Sequence, residues 1–249
     1  MRKPIIAGNW KMFKNAKETK AMLTELIPLV KGSDGREIVI CPPFINIESA
    51  VSACKGTNVK IGSQNIFWEE KGAFTGEISP GMIKDSGCEY AIIGHSERRQ
   101  YFGESDATVN KRLYAALKAG LTPIVCVGET LEERENNRTF EVIEKQLKGG
   151  FSGLSKEQAL KTVIAYEPVW AIGTGKTATP AQAQEVHAFI RKQLEGLFGK
   201  EVSSSVRILY GGSVKADNIK ELMSQEDVDG GLVGGASLEA SGFSKIVNF

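Results

Sequence analysis

Residues 162–199 read TVIAYEPVWAIGTGKTATPAQAQEVHAFIRKQLEGLFG, and residues 206–210 read VRILY. The first five residues are an apolar run rich in β-branched side chains, which predicts a strand. Glu167 to Ala178 then forms a twelve-residue loop. Thr179 precedes Pro180, with Gln182 three positions on, giving an N-cap, a proline at N1 and a capping box. The helix so opened carries Val186, Ile190, Leu194 and Leu197 at spacings of 4, 4 and 3. That is one apolar stripe, and Gly199 stops it. Val206 to Tyr210 is the next strand, so the stretch is a strand–helix–strand unit of the kind that pairs in parallel.

Working outward, the same unit recurs along the chain. Eight strand runs are found: Ile5 to Gly8, Ile38 to Cys41, Val59 to Ile61, Tyr90 to Gly94, Pro123 to Val127, Thr162 to Tyr166, Val206 to Tyr210 and Val228 to Val233. Several are apolar without alternation, as parallel strands are when helices cover one face and a packed interior the other. A second helical stripe, Val109, Leu113, Ala116 and Leu117, ends at Gly120 and returns to a strand. Eight β-to-α alternations in 249 residues fit a closed (β/α)8 barrel, an α/β fold, better than an open sheet. No Pro-rich or Ser-rich linker divides the chain, so residues 1–249 read as a single domain. The clusters at 136–138 and 149–153 read as solvent-facing connections.

Hydrophobic residues make up 41% and charged residues 24%, which excludes a disordered or collagenous chain. Lys plus Arg number 31 against 30 acidic residues, so no global field draws in nucleic acid or an anionic membrane. Any anion must be met locally. No apolar stretch approaches the roughly 18 residues of a membrane span. The opening MRKPIIAGNWK reaches Asn9 and Lys11 before a signal-like core can form, which predicts a cytoplasmic protein. Cys41, Cys54, Cys88 and Cys126 contain no CxxC pair and read as reduced, buried thiols, with no metal site expected.

In such a barrel the chemistry gathers at the carboxyl ends of the strands. The residues there are Asn9 and Lys11, His95 to Glu97, Glu167, Gly211 to Ser213, and Gly234 with Gly235. Glu167 precedes rigid Pro168 at the barrel rim; desolvation in a closable apolar pocket would raise its pKa and suit it to general-base work. The plainer alternative is a strand-end ion pair. His95 is a candidate acid or electrophile, because imidazole can donate to a substrate oxygen. Lys11 is a local cation in a chain of balanced charge. His187, within a helix, is assigned no role.

The glycine pairs after the last two strands expose backbone N–H groups where barrels bind phosphate. Gly173-Thr174-Gly175-Lys176-Thr177 ends like a nucleotide-binding loop, yet Trp170 stands where that motif needs glycine and no helix follows at once. With Val169, Trp170 and Ile172 at one end and small residues at the other, the loop reads instead as a lid over Glu167.

AGNWKM at 7–12, IIGHSERR at 92–99, AYEPVWAIGTGK at 165–176, YGGSV at 210–214, GGLVGGASL at 230–238 and QNIFWEEKGAFTGEIS at 64–79 together resemble the triosephosphate isomerase family. The resemblance runs from first strand to last. It implies a TIM barrel that interconverts dihydroxyacetone phosphate and D-glyceraldehyde 3-phosphate through a cis-enediol(ate), within glycolysis and gluconeogenesis and without cofactor or metal. By the same resemblance Glu167 shuttles the proton, His95 polarises the carbonyl, and Lys11 supplies positive charge. Asn9 positions substrate and Lys11, Glu97 supports the proton network, and Gly173, Ser213, Gly234 and Gly235 offer donors to the phosphate.

Residues 64–79 resemble the family's dimerisation loop, implying a homodimer in which Thr75 approaches the neighbouring subunit's site near Asn9 and His95. Ile66 to Glu70 match no fixed pattern there. Two alternatives remain to be weighed. A Schiff-base aldolase needs a deep lysine nucleophile, where this sixth strand ends in Glu167. A catalytically silent phosphate-binding scaffold would not need Asn9, Lys11, His95 and Glu167 together.

Overall fold

Apolar side chains on both faces of each short run leave a strand nowhere to meet water, and the chain buries both by closing the sheet on itself. In the computed structural model, which describes residues 2–173 and 176–249, eight parallel strands pair in sequence order and the eighth pairs with the first. They are β1 (Ile5–Asn9), β2 (Glu37–Cys41), β3 (Val59–Ser63), β4 (Tyr90–Ile93), β5 (Thr122–Val127), β6 (Val163–Tyr166), β7 (Arg207–Tyr210) and β8 (Gly230–Val233). Each matches an expected run to within one or two residues at either end. Thr174 and Gly175, inside the expected lid, lie outside the described residues.

Alternate residues divide the strands between two cores. Ile5, Ala7, Val39, Ile92, Ile124, Ala165 and Leu209 fill the barrel interior. Ile6, Ile38, Ile40, Ile93, Val125, Ile164 and Ile208 face outward, against the surrounding helices. All four cysteines are free and buried. Among the described residues no helix is long and apolar enough to cross a membrane.

The helix Pro180–Phe198 has the predicted cap: the Thr179 hydroxyl accepts from Gln182 N–H, and the Gln182 side chain accepts from Thr179 N–H. Its stripe departs from expectation at one point. Leu197 is 40% exposed and Phe198 is buried in its place. The cluster at 149–153 also differs, because Gly149 and Gly150 complete the helix Thr139–Gly150 and Phe151 packs into the core. Their neighbours Ile143 and Leu147 already commit that helical face to the interior, and the helix is carried through the glycines.

Candidate active site

The site is built where β1, β4, β6, β7 and β8 end. Asn9, Lys11, His95, Glu167, Gly173, Ser213, Gly234 and Gly235 all line one cavity of about 270 Å³. Of the nine expected site residues only Glu97 stands outside it, and its carboxylate reaches in by pairing with Lys11 Nζ at 2.5 Å.

Lys11 has φ of +51°, a left-handed conformation that costs a non-glycine residue on the order of 1 kcal/mol. Two side chains hold it. Asn9 Oδ1 accepts from Lys11 N–H at 3.0 Å, and Gln64 Nε2 donates to the carbonyls of Lys11 (2.8 Å) and Cys41 (2.9 Å). The lysine side chain then passes Gly234 so closely that a Cβ there would lie 3.6 Å from Lys11 Cε. It therefore spans from the end of β8 to Glu97.

His95 enters through Gly94, whose φ of +70° turns the chain out of β4. His95 caps the helix Ser96–Phe102, and its Nδ1 accepts from Glu97 N–H at 3.2 Å. A nitrogen that accepts carries no proton, so in the neutral ring the proton sits on Nε2, the nitrogen beside Glu167. Burial opposes a charge on the ring, while the carboxylates of Glu167 and Glu97 pull its pKa upward. The net direction is upward, because the two carboxylates outweigh the burial.

Glu167 is 1% exposed. Its backbone N–H donates to Val127 O at 2.7 Å, Oε2 accepts from Ser96 N–H at 2.9 Å, and Oε1 lies 3.0 Å from His95 Nε2. Burial alone would raise its pKa, as the sequence reading expected. The net direction is downward, because His95, Ser96 N–H and the Cys126 thiol stabilise the anion. The expectation of a carboxylate made more basic by its pocket is corrected for this arrangement, in which donors outweigh desolvation.

Several residues around the site were not singled out from the sequence. Glu129 is fully buried, accepts from Tyr166 OH (3.1 Å) and Trp170 Nε1 (2.9 Å), and so ties the expected lid's first turn to β5. Burial raises its pKa. The signal that marked Glu167, a carboxylate just after an apolar run, marks Glu129 equally. Gln64 and Cys126 carry no such signal, since their roles depend on tertiary neighbours. His187 lies outside the cavity, fully buried between Tyr166 and Tyr210.

A closed parallel barrel whose strand ends gather a buried glutamate, a histidine and a lysine around one cavity is the architecture of a (β/α)8-barrel enzyme. The family model described as triosephosphate isomerase matches residues 4–249, and this chain belongs to the triosephosphate isomerase family. It is an isomerase. The triosephosphate isomerase of Citrifermentans bemidjiense is 59% identical to it over 249 residues, covering 100% of this chain and 99% of that one. That of Moorella thermoacetica shares 59% identity with the same coverage. The crystal structure of triosephosphate isomerase from Bartonella henselae superposes with a TM-score of 0.89 at 42% identity, covering 99% of this chain and 98% of the other.

Proposed function

We propose that this isomerase interconverts dihydroxyacetone phosphate and D-glyceraldehyde 3-phosphate by moving one proton between adjacent carbons through an enediol(ate). The observation that carries the reading is the convergence of acid–base, cationic and glycine-rich elements on one small cavity. Its volume of about 270 Å³ falls just below the range of drug-sized pockets and suits a compact ligand.

In this reading Glu167 removes the proton beside the carbonyl and returns it to the neighbouring carbon. To do so its carboxylate gives up Ser96 N–H, and the loss of that donor makes it a stronger base at the moment of transfer. A proton beside a carbonyl is weakly acidic until the developing oxyanion is stabilised. Nε2–H of His95 and the Lys11 ammonium supply that stabilisation, each preorganised donor contributing on the order of 3 kcal/mol. Asn9 fixes the turn that aims Lys11. Glu97 holds Lys11 by its carboxylate and orients His95 by its N–H. Backbone N–H groups at Gly173, Ser213, Gly234 and Gly235 receive the phosphate, and the loop after Glu167 closes over the enediolate so that water does not promote loss of phosphate.

The same reading makes the enzyme a cytoplasmic homodimer. Met12 is 94% and Ile45 83% exposed, with Phe13, Phe74, Tyr101 and Phe102 also exposed, an apolar set that a monomer has little reason to display. A cavity of about 420 Å³ beside the site, lined by Lys11, Met12, Phe13, Gln64, Glu97 and Phe102, offers a socket for the partner's 64–79 loop. Thr75, exposed at that loop's tip, is the residue placed to reach it.

The test is incubation with dihydroxyacetone phosphate in deuterated water, followed by a coupled assay and mass analysis. The reading expects D-glyceraldehyde 3-phosphate and one deuterium in the recovered triose. No product, or product without solvent hydrogen, overturns it.

A further inference from the structure

We propose that Gln146 is a positioning residue for the isomerisation, acting through Gly128 to hold the backbone that carries Glu167. The proposal rests on Glu167 being the proton carrier. Gln146 lies on the helix Thr139–Gly150, outside the cavity that holds the candidate site. Its side chain grips a single residue with both ends of the amide: Oε1 accepts from Gly128 N–H at 2.8 Å, and Nε2 donates to Gly128 O at 3.0 Å.

The need for this clamp follows from strand geometry. The register that pairs Val127 with Tyr166 continues to bring Gly128 opposite Glu167. Val127 O accepts from Glu167 N–H and Glu129 O accepts from Val169 N–H, so the residues flanking Gly128 bond towards β6. Backbone groups alternate along a strand, and the N–H and C=O of Gly128 therefore point the other way, towards β4. β4 has already turned off at Gly94, leaving those two groups without a strand partner. Gln146 takes the place of the missing strand.

Gly128 also lies hard against the backbone of Glu167. A Cβ at Gly128 would stand 1.7 Å from Glu167 O, an approach that only glycine allows and that leaves no slack between the two residues. Packing does not hold this flank, because a cavity of about 490 Å³ lies there, lined by Cys126, Gly128, Gln146, Glu167 and Trp170 among others. Hydrogen bonds do. Without the clamp the two peptide groups flanking Gly128 are held only through the neighbouring carbonyls of Val127 and Glu129, and any yield towards the cavity passes to the Glu167 carbonyl and so to its carboxylate.

Gln146→Met keeps the side-chain length and removes both bonds. The expected result is a kcat lower by about tenfold with affinity for glycerol 3-phosphate changed by less than about twofold, the signature of a misplaced base rather than a damaged pocket. Gln146→Glu supplies the second measurement. When protonated it has the donor and acceptor of the amide, so its kcat relative to the wild type rises as pH falls, whereas ionised it repels Gly128 O. A Gln146→Met kcat within about twofold of the wild type, or a loss shared equally by glycerol 3-phosphate affinity, overturns the proposal, as does a pH-independent ratio for Gln146→Glu. Glu167→Gln is run in the same assay. Full activity there removes the base assignment itself, an outcome separate from any result at Gln146.

Discussion

His95 Nε2 lies 3.0 Å from Glu167 Oε1, while Glu97 N–H is committed to the other ring nitrogen. The pair thus sets an imidazole nitrogen beside a carboxylate at ion-pair distance, with the other ring nitrogen already engaged. A ligand entering between them meets both groups, and the carboxylate has only to release Ser96 N–H to act as the base.

Replacing the base while keeping its shape tests this arrangement. Glu167→Gln preserves the acceptor for Ser96 N–H but cannot take a proton. General-base catalysis contributes roughly 100- to 10,000-fold, and kcat is expected to fall by at least that factor. The variant stays folded and binds glycerol 3-phosphate, read by circular dichroism and titration calorimetry. Turnover close to the wild type would refute the assignment.

Lys11 is the second test. Its left-handed backbone is held by Asn9 and Gln64, and its ammonium by Glu97, which marks a side chain aimed at a fixed place. Lys11→Met keeps much of the apolar stem and removes the charge. Loss of one preorganised oxyanion partner is worth about 100- to 1,000-fold in kcat, and the phosphate's affinity falls as well, so KM is expected to rise in steady-state assays. An unchanged KM would confine Lys11 to the reacting oxygen.

The barrel was legible in the sequence because its cause is local. Each strand run, such as Val163 to Tyr166, is bounded by its own turn chemistry, and Thr179-Pro180 with Gln182 writes out a helix start. Site residues were legible where one rule sufficed, polar groups just past a strand. Gln146 and Gln64 escaped, because nothing local distinguishes a glutamine that solvates itself from one that clamps a distant peptide. The direction of the Glu167 pKa escaped for the same reason: it depends on His95 and on Ser96, the latter 71 positions away. Leu197 misled because a stripe read at 3.6-residue spacing does not say where the helix leaves the surface.

His187, given no role from the sequence, has a consequence for stability. Its Nδ1 lies 3.1 Å from Asp227 O, which fixes the proton there, and its Nε2 is buried with no hydrogen-bond partner among the described residues. Burial pushes its pKa down to about 4, since a second proton would be stranded in an apolar space. The unfolded chain binds that proton near pH 6.5, so its stabilising contribution is full above 6.5 and is lost as pH falls towards 4. Between pH 7.5 and 5.5 the loss is on the order of 1 kcal/mol. Urea unfolding across this range should show His187→Asn with a shallower pH dependence than the wild type. Parallel slopes would contradict the buried neutral ring.

The proposed dimer is tested at the tip of the 64–79 loop. Phe67 stacks on Trp68 with ring centroids 4.1 Å apart and meets Phe74 at 4.7 Å, so the 64–79 loop is braced from within by its own aromatic side chains. It is presented as a rigid projection, and Thr75 next to Phe74 is exposed. In the proposed socket an arginine at this position would force a long side chain among Lys11, Glu97 and Arg98, all of which line that cavity. The loss of fit, and competition for the Lys11–Glu97 pair, then act together. Thr75→Arg is expected to sediment as a monomer at concentrations where the wild type is a dimer. On the proposed reading, in which the partner's loop walls Lys11 and His95, its activity should fall with the monomer fraction. A monomeric Thr75→Arg with full activity would show that the site is complete within one chain, and a dimeric one would place the interface elsewhere.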